Sequence, residues 1–417
     1  MVNLFGFLGG KRGKIAKEWE FQADSQLLSS PAIGHLKDGK KLIVFGTKDG
    51  KIYTLDDQSK VKWLYDLKEK RSEVDLLFLD EDTVKSIRCP PVLADIDNDG
   101  KLEIIVGSDN GTLYVLDESG KLLWDYSINT PIRSSAVVAN LHDDKQQDIL
   151  FGGDDSNLYA LDNKGKLLWK FKASSPIESV PSLVPTKELQ IVFGSNDGTI
   201  YSVNKEGQKL WEFKTEGKIN AQAAVGDICG DGNLMIIIGS LDSHLYAFDE
   251  IGRLLWKFKT EGSIYSKACL ADINNDKKLE IIFGSCDNSI YTIDCKGNKI
   301  WSYETDFWVV ASPFVADIDN DGKPEVIAGS YDHSLYVLDA EGSFVLNYMP
   351  GISGIAQQPG HYSAVLTSQP GHYQGKKIWE YKTDSFIVGS AYIDDKDKKK
   401  IVVGTKKGVL DMFKHEN

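Results

Sequence analysis

Few cysteines, few prolines, no long apolar run and no excess of positive charge mark this sequence. Five cysteines in 417 residues (Cys89, Cys229, Cys269, Cys286 and Cys295) are odd in number and lack CxxC spacing. They predict neither a disulfide framework nor a zinc site, but five buried or half-buried thiols in a reducing setting. No stretch approaches the roughly 20 apolar residues of a membrane span. The N-terminal MVNLFGFLGGKRGK has no preceding charged segment, a short apolar run and no small-residue cleavage site, so it does not read as a secretory signal. Residues 1–12 read as a frayed tail, and the expected location is cytoplasmic, or extracytoplasmic if an export signal has been removed. Lys and Arg number 48 against 61 Asp and Glu, giving a net charge of −13. The resulting field repels phosphate and excludes nucleic acid as a partner. The lysine-rich run Asp395–Lys400 reads as a solvated turn.

What is present is repetition. A Lys-x-x-Trp-like ending recurs at Trp63, Trp124, Trp169, Trp211, Trp256, Trp301 and Trp379, with spacings of 61, 45, 42, 45, 45 and 78. A period near 45 with two insertions, about 68–85 and 342–374, accounts for all of them. Each period reads as four short strands; in one unit these are PPVLAD, LEIIVGS, TLYVLD and KLLWDY, separated by Asp/Asn/Gly turns. The second and third strands are apolar at nearly every position, which predicts burial on both faces. Sheets stacked face to face round an axis satisfy that pattern, so the predicted fold is an all-β, eight-bladed β-propeller. The C-terminal unit stops before its Trp strand, and the orphan GKIAKEWEF (Gly13–Phe21) supplies it. The N-terminal strand therefore closes the last blade, in a single domain spanning 13–417, and removes two exposed edges.

Acidic loops join the first and second strands of several blades. In blade two, Asp95, Asp97 and Asp99 alternate, Gly100 permits a sharp turn, Lys101 offers a carbonyl and Glu103 stands at position 9. Blade seven repeats this with Asp317, Asp319, Asp321, Lys323 and Glu325. Blade six carries Asp272, Asn274, Asp276, Lys278 and Glu280, with Lys277 in place of the glycine. Alternating oxygens on one tight loop match the needs of a hard divalent cation, so two or three structural calcium ions are expected. The motif decays in blades three and five, and blades one, four and eight lack it.

The ending LYVLDESGKLLWDY resembles the repeat of quinoprotein-dehydrogenase-like (PQQ-like) propellers, and VLADIDNDGKLEIIVGS resembles the FG-GAP repeat of integrin alpha-subunit propellers. The FG-GAP resemblance implies that the acidic loops lie opposite the ligand face. The quinoprotein resemblance raises a dehydrogenase reading, but the adjacent cysteines and decorated loops of those enzymes are missing here. Some polysaccharide lyases are also similar, being eight-bladed with calcium loops.

Position in the repeat puts Leu28, Arg88, Arg133, Glu178, Asn220, Tyr265, Val310 and Val388 on the axial rim. Arg88, Arg133, Glu178, Asn220 and Tyr265 form a polar sector suited to an anionic or sugar ligand. Trp308 is the one tryptophan outside the repeat series and stands on the same face. The longer insertion contains QPGHY twice, projecting His361, Tyr362, His372 and Tyr373 from Pro-Gly turns, either for recognition or as padding of blade seven. The shorter, EKRSEVDLLFLDEDTVK, lies beside Arg88. No Ser-His-Asp set, phosphate-binding glycine loop or HExxH pattern is present. The expected role is a monomeric, non-catalytic module or scaffold that binds a protein or glycan partner. The alternative is a polysaccharide lyase acting on anionic glycans at the axial face.

Overall fold

The computed structural model describes residues 14–67, 85–142, 146–318, 321–339, 373–374, 376–393 and 399–416, and every regular element among them is a strand. Eight antiparallel sheets of four repeat strands follow one another. Blade two is typical, with β6 (Val92–Ala94), β7 (Glu103–Gly107), β8 (Thr112–Leu116) and β9 (Leu122–Ser127) hydrogen-bonded in that order. The innermost strands touch round the ring, and β31 (Ile387–Ile393) meets β2 (Ala32–His35) to complete it. The eight-bladed propeller expected from the period is the fold observed.

Burial explains the pattern of the strands. Every residue of β7 and β8 is buried, whereas β9 alternates. The middle strands lie between two neighbouring sheets; the outer strand keeps one face wet. The described residues accordingly form no central core, but eight apolar layers, each shared by two adjacent blades. Between blades two and three, for instance, Ile105, Leu113 and Val115 pack on Ile149, Phe151, Tyr159 and Leu161.

The repeated Gly-Lys-x-x-Trp ending proves to be a clasp between blades. Trp124 of blade two donates its indole N–H to the carbonyl of Asn163 in blade three at 2.9 Å. Its ring covers Gly165, where a Cβ would come within 2.6 Å of the indole and where φ is +81°. Only glycine meets both demands without strain. The same pair recurs as Trp63 on Gly120, Trp169 on Gly207 and Trp256 on Gly297. Blades two to six therefore each supply the glycine turn on which the preceding blade's tryptophan rests, and blade one carries Ser59 in that position, at φ +63°.

The N-terminal strand β1 (Lys14–Gln22) pairs antiparallel with β33 (Val409–Glu416), completing blade eight as expected. Trp19 then clasps blade one through the carbonyl of Asp57 at 3.0 Å. Lys400 is buried and pairs with Glu18 of β1 at 2.7 Å. The lysine run is thus no mere solvated turn: its last residue helps to hold the closing strand.

The cysteine reading also needs correction. A disulfide joins Cys229 in blade five to Cys295 in blade six, with Cα atoms 5.4 Å apart. Sixty-six residues separate them in sequence. The ring nevertheless brings an acidic-loop position of one blade beside the outer turn of the next, a juxtaposition that spacing alone does not reveal. Cys89, Cys269 and Cys286 are free. Burial pushes the thiol pKa of Cys89 up to about 12 and that of Cys286 up to about 11, so neither is a ready nucleophile.

Candidate functional site

Two faces differ in kind. On one, the rim face, the segment leading into each inner strand meets the turn between the second and third strands. Backbone bonds fix this contact blade by blade: Asp109 N donates to Ser86 O at 2.9 Å, Asp154 N to Pro131 O at 3.0 Å and Asn196 N to Pro176 O at 2.9 Å. Leu241 N to Lys218 O at 2.9 Å and Tyr331 N to Trp308 O at 2.8 Å continue the series. All eight sequence-predicted rim residues therefore take equivalent positions, and each is exposed or half-buried.

The structure joins the polar ones into a network through partners that sequence reading missed. Arg88 Nε donates to Asp109 Oδ2 at 2.6 Å, and Arg133 Nε donates to Asp109 Oδ1 at 3.1 Å. Arg133 Nη1 also pairs with Asp154 Oδ2 at 3.0 Å and lies 3.9 Å from Glu178 Oε1. Glu178 in turn accepts from Asn196 Nδ2 at 2.8 Å and from Asn220 Nδ2 at 2.9 Å. Burial raises the Asp154 pKa, the Arg133 guanidinium opposes the rise, and the Glu178 and Asp109 charges add to it. Asp109, Asp154 and Asn196 occupy one repeat position, just past the second strand (VGSD, FGGD, FGSN). Alignment of the repeats at that turn is the signal that finds them.

Beyond Asn220 the rim turns aromatic. Tyr265 is 41% exposed and within electrostatic reach of both Glu178 and Cys286. Phe307 and Trp308, 41% and 44% exposed, stack on each other at 5.0 Å with their planes 12° apart. Ser330 Oγ donates to the carbonyls of both, which fixes their backbone. Tyr331 stacks on Phe386 at 5.1 Å, and the Lys406 ammonium stands 5.6 Å from the Phe386 ring centre. Blades two to five thus present a hydrogen-bonding sector and blades six to eight an apolar, aromatic one.

The opposite face carries the acidic loops. In blade two, ligand oxygens of Asp95, Asp97 and Asp99 lie within 4.8 Å of one another. The loop is shaped by its own backbone: Asp95 accepts from Asp99 N at 3.0 Å and Gly100 N at 2.6 Å, and Asp99 accepts from Lys101 N at 2.7 Å. Glu103 is buried below it and accepts from Ile96 N at 2.9 Å. Burial and the three aspartates push its pKa up to about 7, the cost of gathering four carboxylates that a divalent cation would relieve. The donor set of blade two fits calcium.

Blades six and seven reproduce the turn with different surroundings. In blade six, Asp272 accepts from Asp276 N at 3.2 Å, and Asn274 donates its amide to Glu280 at 2.9 Å. Lys278 N donates to Asp276 at 2.8 Å. Lys277 takes the glycine position at φ +69°, a strained conformation for a residue with a Cβ. In blade seven, Asp317 accepts from Asp321 N at 3.1 Å and Lys323 N donates to Asp321 at 2.8 Å, while Glu325 holds Ile318 N at 2.8 Å. The Lys399 ammonium of blade eight stands 3.4 Å from Asp317, and Asp319 lies outside the described residues. Blade five keeps the same turn on Asp227 and Asp231 with Met235 at the ninth position, so the turn itself needs no full carboxylate set.

Of the insertion residues, His361, Tyr362 and His372 lie outside the described residues, as does the shorter insertion except for Lys85. The backbone of Tyr373–Gln374 runs parallel to Trp301–Ser302 and adds a fifth strand to blade six. The last residues of the insertion therefore lie against blade six.

The fold and its two unlike faces define an eight-bladed propeller domain. The family model of the lambda-carrageenase beta-propeller domain matches residues 87–142, 137–210, 190–270 and 262–350, and the chain belongs to that family. Among solved structures, BamB from Moraxella catarrhalis is similar over 96% of this chain and 99% of its own, at 15% identity and a TM-score of 0.62. BBS1N, solved in complex with ARL6DN, is similar over 78% of this chain and 91% of its own, at 12% identity and a TM-score of 0.52. These likenesses are of fold. No curated protein matches the chain. Among the described residues no helix is long and apolar enough to cross a membrane.

Proposed function

We propose that this chain is a non-catalytic, glycan-binding propeller domain that engages its ligand on the rim face. The observation that carries this reading is one face bearing both the Arg88–Asp109–Arg133–Glu178 hydrogen-bonding sector and the exposed Phe307–Trp308 stack. Sugars demand that combination: hydroxyls that both donate and accept, and a flat C–H face that packs on an aromatic ring. Membership of a lambda-carrageenase propeller family supports a glycan over other small ligands. A lyase acting on anionic glycans would need cationic side chains free to hold substrate carboxylates. The pairing of Arg88 and Arg133 with Asp109 and Asp154 favours binding without cleavage.

Affinity electrophoresis through gels containing a panel of polysaccharides tests the reading. At least one should retard the protein, and Trp308→Ala should weaken that binding about tenfold, or ~1.4 kcal/mol. Retardation by none, or unchanged binding by the variant, would sink it.

The acidic loops have a separate role in this proposal: FG-GAP-like calcium sites that stiffen the other face, with blade two the best formed. A closed set of protein oxygens leaves no coordination position for chemistry. Chelation with EGTA should lower the melting temperature by about 5 °C, since an ion bound only to the folded state adds stability by mass action. No shift, together with no calcium by elemental analysis, would remove calcium from the proposal. The Cys229–Cys295 bridge supports an oxidising, extracytoplasmic setting over the cytoplasm.

A further inference from the structure

We infer that the seam between blades five and six holds a second binding site, a pocket for a small, uncharged aromatic molecule, on the side of the acidic loops and apart from the rim. A cavity of about 530 Å³ lies there over the clasp tryptophan Trp256. Its walls come from the loop 229–235 and the outer turn 249–255 of blade five, and from Cys295 and Lys296 of blade six.

The repeat supplies its own comparison. Blades two and three enclose the equivalent space over Trp124, about 490 Å³, and its lining includes Asp97, Glu103 and Asn163. At the seam of blades five and six those three positions are Cys229, Met235 and Cys295. A fourth exchange falls in the outer turn. Blades one, two, three, four and six place Gln58, Ser119, Lys164, Glu206 and Lys296 there, whereas blade five places Ile251, which is 60% exposed. Leu255, 48% exposed, continues the apolar wall. The blade whose ninth-position carboxylate has become methionine is thus the one whose seam has turned apolar at every exchanged position, which is the lining of a ligand pocket.

The Cys229–Cys295 bridge ties the blade-five loop to the blade-six turn, so the walls are fixed before a ligand arrives. The volume falls in the range of small-molecule sites. The lining also selects the ligand's body. It gathers three sulfur-bearing side chains, Cys229, Met235 and Cys295, with the Trp256 indole, and sulfur–aromatic and ring–ring contacts favour an aromatic ring over an aliphatic one. The charged lining residues are of both signs, Asp231, Asp249 and Glu250 against Arg253 and Lys296, and Arg253 Nε is already bonded to Asp249 at 2.6 Å. A net charge on the ligand therefore gains little.

Calorimetric titration of the full chain, its bridge intact, with naphthol and with the saturated analogue decalol tests the site. Naphthol should bind at one site, about tenfold more tightly than decalol. The double variant Ile251→Asp with Leu255→Asp changes two exposed residues and should weaken naphthol binding about tenfold or more with its melting temperature little changed. Met235→Glu, which restores the residue type of blade two, should weaken it as much. Trp308→Ala should bind naphthol as the unmodified protein does. Absence of naphthol binding, equal binding of the two compounds, or full binding in either pocket variant overturns the inference. Loss of binding in Trp308→Ala would move the ring to the rim and overturns it as well. None of these outcomes bears on glycan binding at the rim.

Discussion

A chain lacking its first 22 residues should lose about 5 kcal/mol of stability, melt about 10 °C lower and aggregate on concentration. The closing strand is short, yet three of its side chains close seams that no other segment covers among the described residues. Ile15 is buried in the layer between blades seven and eight, against Ile327, Val337 and Ile401. Phe21 packs edge-on to Phe45 and Tyr53 of blade one, and Trp19 bonds to the Asp57 carbonyl. Lys400 loses Glu18 at the same time, and a buried ammonium without its partner is costly. The uncovered backbone of β33 then becomes an edge open to any other strand. Differential scanning calorimetry of the truncated chain checks the stability loss, and a peptide spanning Lys14–Gln22 added in trans should recover part of it. A truncated chain that melts with the full-length protein would contradict the closure role of β1.

The second large effect is expected at the inter-blade clasp. Gly165→Val should cost about 4 kcal/mol, combining the strain of a β-branched residue in the left-handed region with displacement of Trp124. The added Cβ has no relief, because its nearest neighbours are atoms of the indole ring at 2.6–3.0 Å. Lys164→Val, one residue away and exposed, should change stability by less than about 0.5 kcal/mol. Urea denaturation of both variants decides the matter. Equal midpoints would show that the recurring Gly-Lys-x-x-Trp ending is incidental to stability.

These two results bear on what was legible in the sequence. The 45-residue period, the doubly buried middle strands and the orphan N-terminal strand are local or periodic features. Each has one physical solution, so blade number and closure were readable. The rim positions were equally readable, because a ring of repeats places equal positions at equal heights. Their charge was not: Asp109 and Asp154 neutralise Arg88 and Arg133 across a turn and a blade boundary, 21 to 24 residues away. The Cys229–Cys295 bridge was hidden for the same reason, since it links unlike positions of adjacent repeats. The exposed Trp308 was visible as a break in the tryptophan series, but its stacking on Phe307 was not.

The acidic loops give the converse lesson. Their spacing was plain in the sequence, and the structure gathers Asp95, Asp97 and Asp99 as that spacing implied. Glu103 does something spacing did not show, tying the loop at Ile96 N to the start of the second strand, as Glu280 and Glu325 do in blades six and seven. A carboxylate at the ninth position thus shapes the loop whether or not it also holds an ion.

The division of labour between the faces is tested most directly by titrating one bound glycan into two variants, each kept well below its melting temperature. Arg88→Ala with Tyr265→Ala alters only the rim face, and Asp95→Ala alters only the loop face. The rim variant should bind about tenfold or more weakly with its melting temperature little changed, while Asp95→Ala should melt lower and bind as the unmodified protein does. Loss of binding in Asp95→Ala with full binding in the rim variant would place the ligand on the calcium-loop face and contradict the assignment.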